Sequence, residues 1–153
     1  MNTQFNPNNG HLGAINPNGV SKDILFAADK EAFVACVNRD AANWGFTFQE
    51  VGRYEVCPQG TYKVALVMAI TTSKGIPDYH WYRQNADGTW SHKPGGFSVT
   101  NLDSNNQIIY DPQTAAREII DGSGVYSSFI GYFAVTPLNY MYGANAANTL
   151  EAA

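Results

Sequence analysis

Hydrophobic and polar positions change their period several times along this chain, and each change marks an element. From Asp29 onward, Phe33, Cys36, Val37, Ala41 and Trp44 return at helical spacing on one face, with Asp29 placed to cap the first turn and Gly45 to stop the last. FTFQEV then alternates with period two and reads as a half-buried strand. YKVALVMAI is apolar almost throughout, the pattern of a strand covered on both faces, and belongs in the middle of a sheet. DYHWYRQNADGTWSHKPGG carries Asp87-Gly88 between two aromatic-rich runs, which predicts a hairpin with strands at about 79–85 and 89–93. SVTNLD leads through the turn DSNN into QIIYD. There Asp111, Pro112 and Gly122 stand as cap, first residue and stop of a short helix, and FIGYFAV supplies a last strand.

These elements predict an α+β domain: one N-terminal helix packed on a mostly antiparallel sheet, with a second short helix inserted. The domain is expected over 22–137. Residues 1–21, with NPNNG and NPNG as near-repeats, read as an Asn/Gly/Pro-rich arm, and 138–153 as a tail of small and polar residues. Ends with so little to bury on their own domain are expected to lie along neighbouring subunits, anchored by Phe5, Leu12, Tyr140 or Tyr142.

The hairpin concentrates the chemistry. With a two-residue or a four-residue loop, odd positions of one strand face even positions of the other. Tyr79, Trp81, Arg83, Trp90 and His92 then share one face as a candidate binding surface, and His80, Tyr82, Gln84, Ser91 and Lys93 share the other. In these registers the two histidines point apart, which rules out a two-histidine metal site on the hairpin and leaves His80 as the candidate for acid–base work. Both histidines can equally be ordinary sheet residues, and the aromatics cross-strand packing.

Composition narrows the partners. A net charge of -4 with only 9 Lys+Arg, spread along the chain, offers no phosphate-binding patch, so nucleic acid is not expected. Charged residues are 14% of the chain, and the neutral, polar surface this implies suits contact with other macromolecules. Cys36 and Cys57 form no CxxC pair and lie near no histidine at metal-ligand spacing, so neither a metal nor another cofactor is expected. MNTQFNPNNGHLG lacks the basic start and apolar run of a signal peptide, and no stretch approaches eighteen apolar residues. A soluble chain without a membrane span is therefore expected.

A cysteine, then a strand beginning with histidine, then a polar residue, on a helix followed by an antiparallel sheet, resembles the papain-like cysteine hydrolases, including cell-wall peptidases of the NlpC/P60 type. The phrases DYHWYR, WSHKPG, VTNLD and IIYDP also resemble uncharacterised bacterial and phage proteins. The resemblance covers about residues 28–135. It implies His80 as general base and Asp103 or Asn101 as the group that orients it. The hydrolases place their cysteine at the start of the long helix, where free N–H groups stabilise a thiolate, but here that start reads AADKEAF. Cys36 lies about two turns in on the apolar face, which leaves Cys57, in EVCPQG, to complete a triad with His80 and Asp103. The leading expectation is a non-enzymatic structural or interaction protein, a subunit of a larger assembly such as a phage virion. A cysteine hydrolase is the first alternative, and a carbohydrate-binding module using the aromatic face is the second.

Overall fold

The computed structural model describes residues 19–136. The arms expected at 1–21 and 138–153 lie outside the described residues except for 19–21, as do the subunit contacts expected of them and the side chain of Trp44.

Among the described residues two helices come first. Asp29 caps α2 (Lys30–Trp44) by accepting the Ala32 N–H at 3.0 Å. Gly45 ends it in the left-handed region, φ 75°, with its N–H on the Ala41 carbonyl at 2.7 Å. Before it lies α1 (Lys22–Phe26), capped by Ser21, whose hydroxyl accepts the Ile24 N–H at 3.4 Å. One turn is too short to show a period, so the pattern of VSKDILF gave no warning of α1.

Among the described residues five strands follow: β1 (Phe48–Val51), β2 (Tyr62–Ala69), β3 (Asp78–Gln84), β4 (Trp90–Ser91) and β5 (Ser128–Val135). They form one antiparallel sheet in the order β1-β5-β2-β3-β4, an α+β arrangement with β2 at its centre. Alternate β2 side chains enter two separate cores. Val64, Leu66 and Met68 pack with Phe33, Val37 and Ala41 of α2 and with Trp81 and Phe133. Ala65, Val67 and Ala69 pack on the opposite side with Tyr82, Trp90, Tyr132 and with Ile109, Ile119 and Tyr126 from the long connection between β4 and β5. The sheet thus lies between a helix and a layer of ordered loops, which is why β2 reads as apolar at every position from Val64 to Ala69. Full burial of each Val, Leu or Met stabilises by about 1.5–3 kcal/mol.

The hairpin differs from both expected registers. Its loop has three residues: the Asn85 N–H bonds the Thr89 carbonyl at 2.7 Å, and the Gly88 N–H turns back to the Asn85 carbonyl at 3.0 Å. Gly88 takes φ 88°, the left-handed position that closes a type I turn with a bulge. Asp87 fixes this form by accepting the N–H and the hydroxyl of Thr89 at 2.9 and 2.6 Å. Gln84 therefore pairs with Trp90 and Arg83 with Ser91, even opposite even and odd opposite odd.

The helix expected from Asp111 to Gly122 is a single turn. Asp111 does cap it, with the Gln113 N–H on its carboxylate at 2.9 Å and the Ala115 N–H on its carbonyl at 3.0 Å. Further turns lose to tertiary partners. The Ala116 N–H goes to Asp103 Oδ2 at 3.1 Å and the Glu118 N–H to Ser104 Oγ at 3.2 Å, while the Arg117 guanidinium takes the Pro112 and Gln113 carbonyls at 2.8 and 2.7 Å. A helix of about ten residues is marginal alone, so these bonds outweigh its propagation.

Candidate functional site

The three-residue loop decides where the histidines go. His80 on β3 and His92, just past β4, project from the same face of the sheet, and His80 Nε2 lies 2.8 Å from His92 Nδ1. His92 is held there by paired backbone bonds to Thr100, both 2.9 Å, and its Nε2 lies 2.9 Å from the Leu102 carbonyl oxygen. A carbonyl can only accept, so His92 carries its proton on Nε2. In the neutral ring Nδ1 is then an acceptor, and the proton between the rings belongs to His80 Nε2. The chain runs from His80 Nε2–H to His92 Nδ1, and from His92 Nε2–H to Leu102 O. It leaves His80 Nδ1 as a lone pair with no protein donor among the described residues.

Rings wall the pair in. His80 stacks on Tyr126 at 5.2 Å and 16°, His92 stacks on Tyr82 at 5.0 Å and 26°, and His80 meets Tyr82 edge-on at 5.1 Å. Tyr126 is anchored by its hydroxyl, which donates to Asp78 Oδ2 at 2.8 Å. Burial, and then the neighbouring His92, push the His80 pKa down to about 3. Burial also lowers His92, although the Leu102 carbonyl and Asp103 favour its charged form. Both rings are neutral at pH 7.

Asp103 stands beside His92. Burial opposes its charge, but N–H bonds from Gln107, Ala116 and Asn105, with His92 nearby, outweigh that and hold its pKa below the usual carboxylate range. Together these groups border a cavity of ≈ 280 Å³ whose lining includes His80, Tyr82, His92, Asp103, Glu118 and Tyr126.

The residues singled out from the sequence divide accordingly. Cys57 lies half-buried in the connection between β1 and β2 and lines a separate depression with Tyr62, Lys63 and Arg83, while His80 has His92 as its ring partner. Asp103 acts on His92 and on backbone N–H groups. The Asn101 carbonyl accepts the Ile109 N–H at 2.9 Å. The binding face expected of Tyr79, Trp81, Arg83, Trp90 and His92 is split by this register, which sets odd opposite odd and even opposite even. Trp81 is 2% exposed in the core under α2, with Phe33 5.2 Å from Tyr79 edge-on, whereas Trp90 is 3% exposed in the opposite core beside Tyr132. Arg83 lies over the Tyr62 ring at 4.4 Å. Two tryptophans sealed on opposite sides of a sheet cannot stack on one sugar, which overturns the aromatic face of the carbohydrate-binding reading.

Tyr126 and Glu118 were not anticipated, because only the tertiary path of the β4–β5 connection brings them to the histidines. The pairing of His80 with His92 did have a local signal: Asn-Ala-Asp-Gly-Thr suits a type I turn with glycine at its left-handed position as well as it suits a two-residue turn.

No protein-family model matches the chain, and no solved structure matches it. A 60-residue stretch is 43% identical to Insoluble matrix shell protein 1 of Ruditapes philippinarum, covering 39% of this chain and 36% of that protein. Among the described residues no helix is long and apolar enough to cross a membrane.

Proposed function

We propose that this domain is a non-enzymatic structural protein that works by contact with other protein subunits in a larger assembly. The observation that carries the proposal is the 43% identity over 60 residues with a protein named for an insoluble shell matrix. Two features agree with it. Tyr54, Val56, Phe97 and Tyr110 stand on exposed loops, large apolar groups available to a neighbour. The histidine pair is neutral and deeply set, and its ring-to-ring bond joins two histidines, where a hydrolase needs one joined to a nucleophile. The low charge and the terminal arms suit a particle such as a phage virion, but the relative's name favours an insoluble matrix, and the matrix is the reading adopted. Sedimentation of the full chain over a wide concentration range tests the assembly role. Concentration-dependent association is expected, weakened when residues 1–20 are deleted. A chain that stays monomeric at every concentration and forms no insoluble material sinks it.

The cysteine-hydrolase reading keeps one supporting observation, the single tautomer that leaves His80 Nδ1 open. It requires Cys57 to react as a thiolate. Alkylation of Cys57 by iodoacetamide well below pH 8 would favour it, and the slow rate of an ordinary thiol would remove it.

A further inference from the structure

The hydrogen-bond chain of the histidine pair has a chemical consequence for the cavity beside it. Both ring N–H donors are spent, one on the neighbouring ring and one on the Leu102 carbonyl. What His80 offers is the Nδ1 lone pair, on a ring 5% exposed that lines the cavity and has no protein donor for that nitrogen among the described residues. Asp103, held in its charged form, and Glu118 add carboxylate oxygens, and among the described residues no lysine or arginine lines the cavity. The site is therefore rich in acceptors and negative in charge, and Tyr82 and Tyr126 supply ring faces whose quadrupoles attract cations.

An anion would meet the repulsion of Asp103 and Glu118, with no charged donor among the described lining residues. A metal ion needs a set of converging ligands, and among the described residues no group of three His, Cys, Asp or Glu side chains is placed to hold one. A primary ammonium has three donors and no acceptor, the complement of this lining. A cavity of ≈ 280 Å³ stands at the small end of ligand sites, which suits a single side chain or a chain terminus.

We propose that the cavity bordered by His80, Asp103, Glu118 and Tyr126 binds a primary ammonium group. Two sources share this chemistry, a lysine side chain and a polypeptide amino terminus. The site stands whether or not the domain belongs to an assembly.

The test follows the ring C–H signals of His80 and His92 by NMR in the full chain near neutral pH. Four probes are titrated: Nα-acetyl-lysine methylamide, glycinamide, the doubly acetylated lysine methylamide, and Nα-acetyl-arginine methylamide. Saturable shifts are expected with the lysine probe or glycinamide, at least about ten-fold tighter than with the doubly acetylated probe, which keeps the stem and lacks the charge. Whichever of the first two binds tighter identifies the source. Glu118→Gln, an exposed position that leaves the fold alone, is expected to weaken that binding about three-fold or more, and added salt to weaken it further. The proposal is overturned by the absence of saturable shifts with both ammonium probes, by an equal response to the neutral probe, or by tighter binding of the arginine probe. Unchanged affinity in Glu118→Gln overturns it as well.

Discussion

A buried neutral histidine makes the folded state sensitive to acid. Burial, and then His92, disfavour the charge on His80 and push its folded pKa down to about 3, from an ordinary value of 6.5. Its folded pKa is depressed, so between these values the unfolded chain binds the proton and the folded chain does not, and stability falls as pH drops. The contribution is fully present above about pH 6.5 and is lost progressively toward pH 3, at about 1.4 kcal/mol for each unit. Denaturant unfolding is therefore expected to give about 2 kcal/mol less stability at pH 5 than at pH 7. His80→Phe, which keeps a ring against Tyr126, should flatten that slope. A wild-type stability that is level between the two pH values would refute the burial and pairing of His80. The same pair shows what a sequence can conceal: each histidine stands in a legible strand, yet whether they meet depends on the parity of one loop, and Asp87-Gly88 alone permits loops of either parity.

Among the elements, those set by local pattern were legible and those set by distant partners were not. The spacing of Phe33, Val37 and Ala41, the Asp29 cap and the unbroken apolar run of β2 all express short-range rules, and they appear in the structure as read. The segment after Asp111 obeys the same rules for one turn, after which Asp103, Ser104 and Arg117 claim its backbone groups. The β1–β2 connection is likewise organised from outside itself. Lys63 on β2 is 7% exposed, and its Nζ donates to the carbonyls of Gly52, Arg53 and Glu55 at 3.4, 3.2 and 2.6 Å, pinning the loop to the sheet. Lys63→Met preserves the apolar stem and removes the donors. It is expected to cost about 2–3 kcal/mol and to expose the loop to proteolysis near Arg53. An intact loop in limited trypsin digestion, with unchanged stability, would show that the lysine is not its anchor.

For the whole molecule, the two-sided core separates stability from contact. Every β2 side chain from Val64 to Ala69 is fully buried, so fold stability resides in the layers above and below the central strand. The loop pinned by Lys63 instead carries Tyr54 and Val56, 84% and 89% exposed, neither of which belongs to either core. Large apolar groups so placed add little to folding, and in an assembly protein they are where a neighbour would be gripped. Tyr54→Ser with Val56→Ser is therefore expected to change unfolding stability by no more than about 0.5 kcal/mol, since surface substitutions outside special features stay within that range. If this loop is a contact, the double variant should associate more weakly in sedimentation while melting as the unaltered chain does. Comparison with the 1–20 deletion then assigns the contact. A loss in the loop variant alone places it on the folded domain, a loss in the deletion alone places it on the arm, and undiminished association in both excludes these surfaces as the clasp.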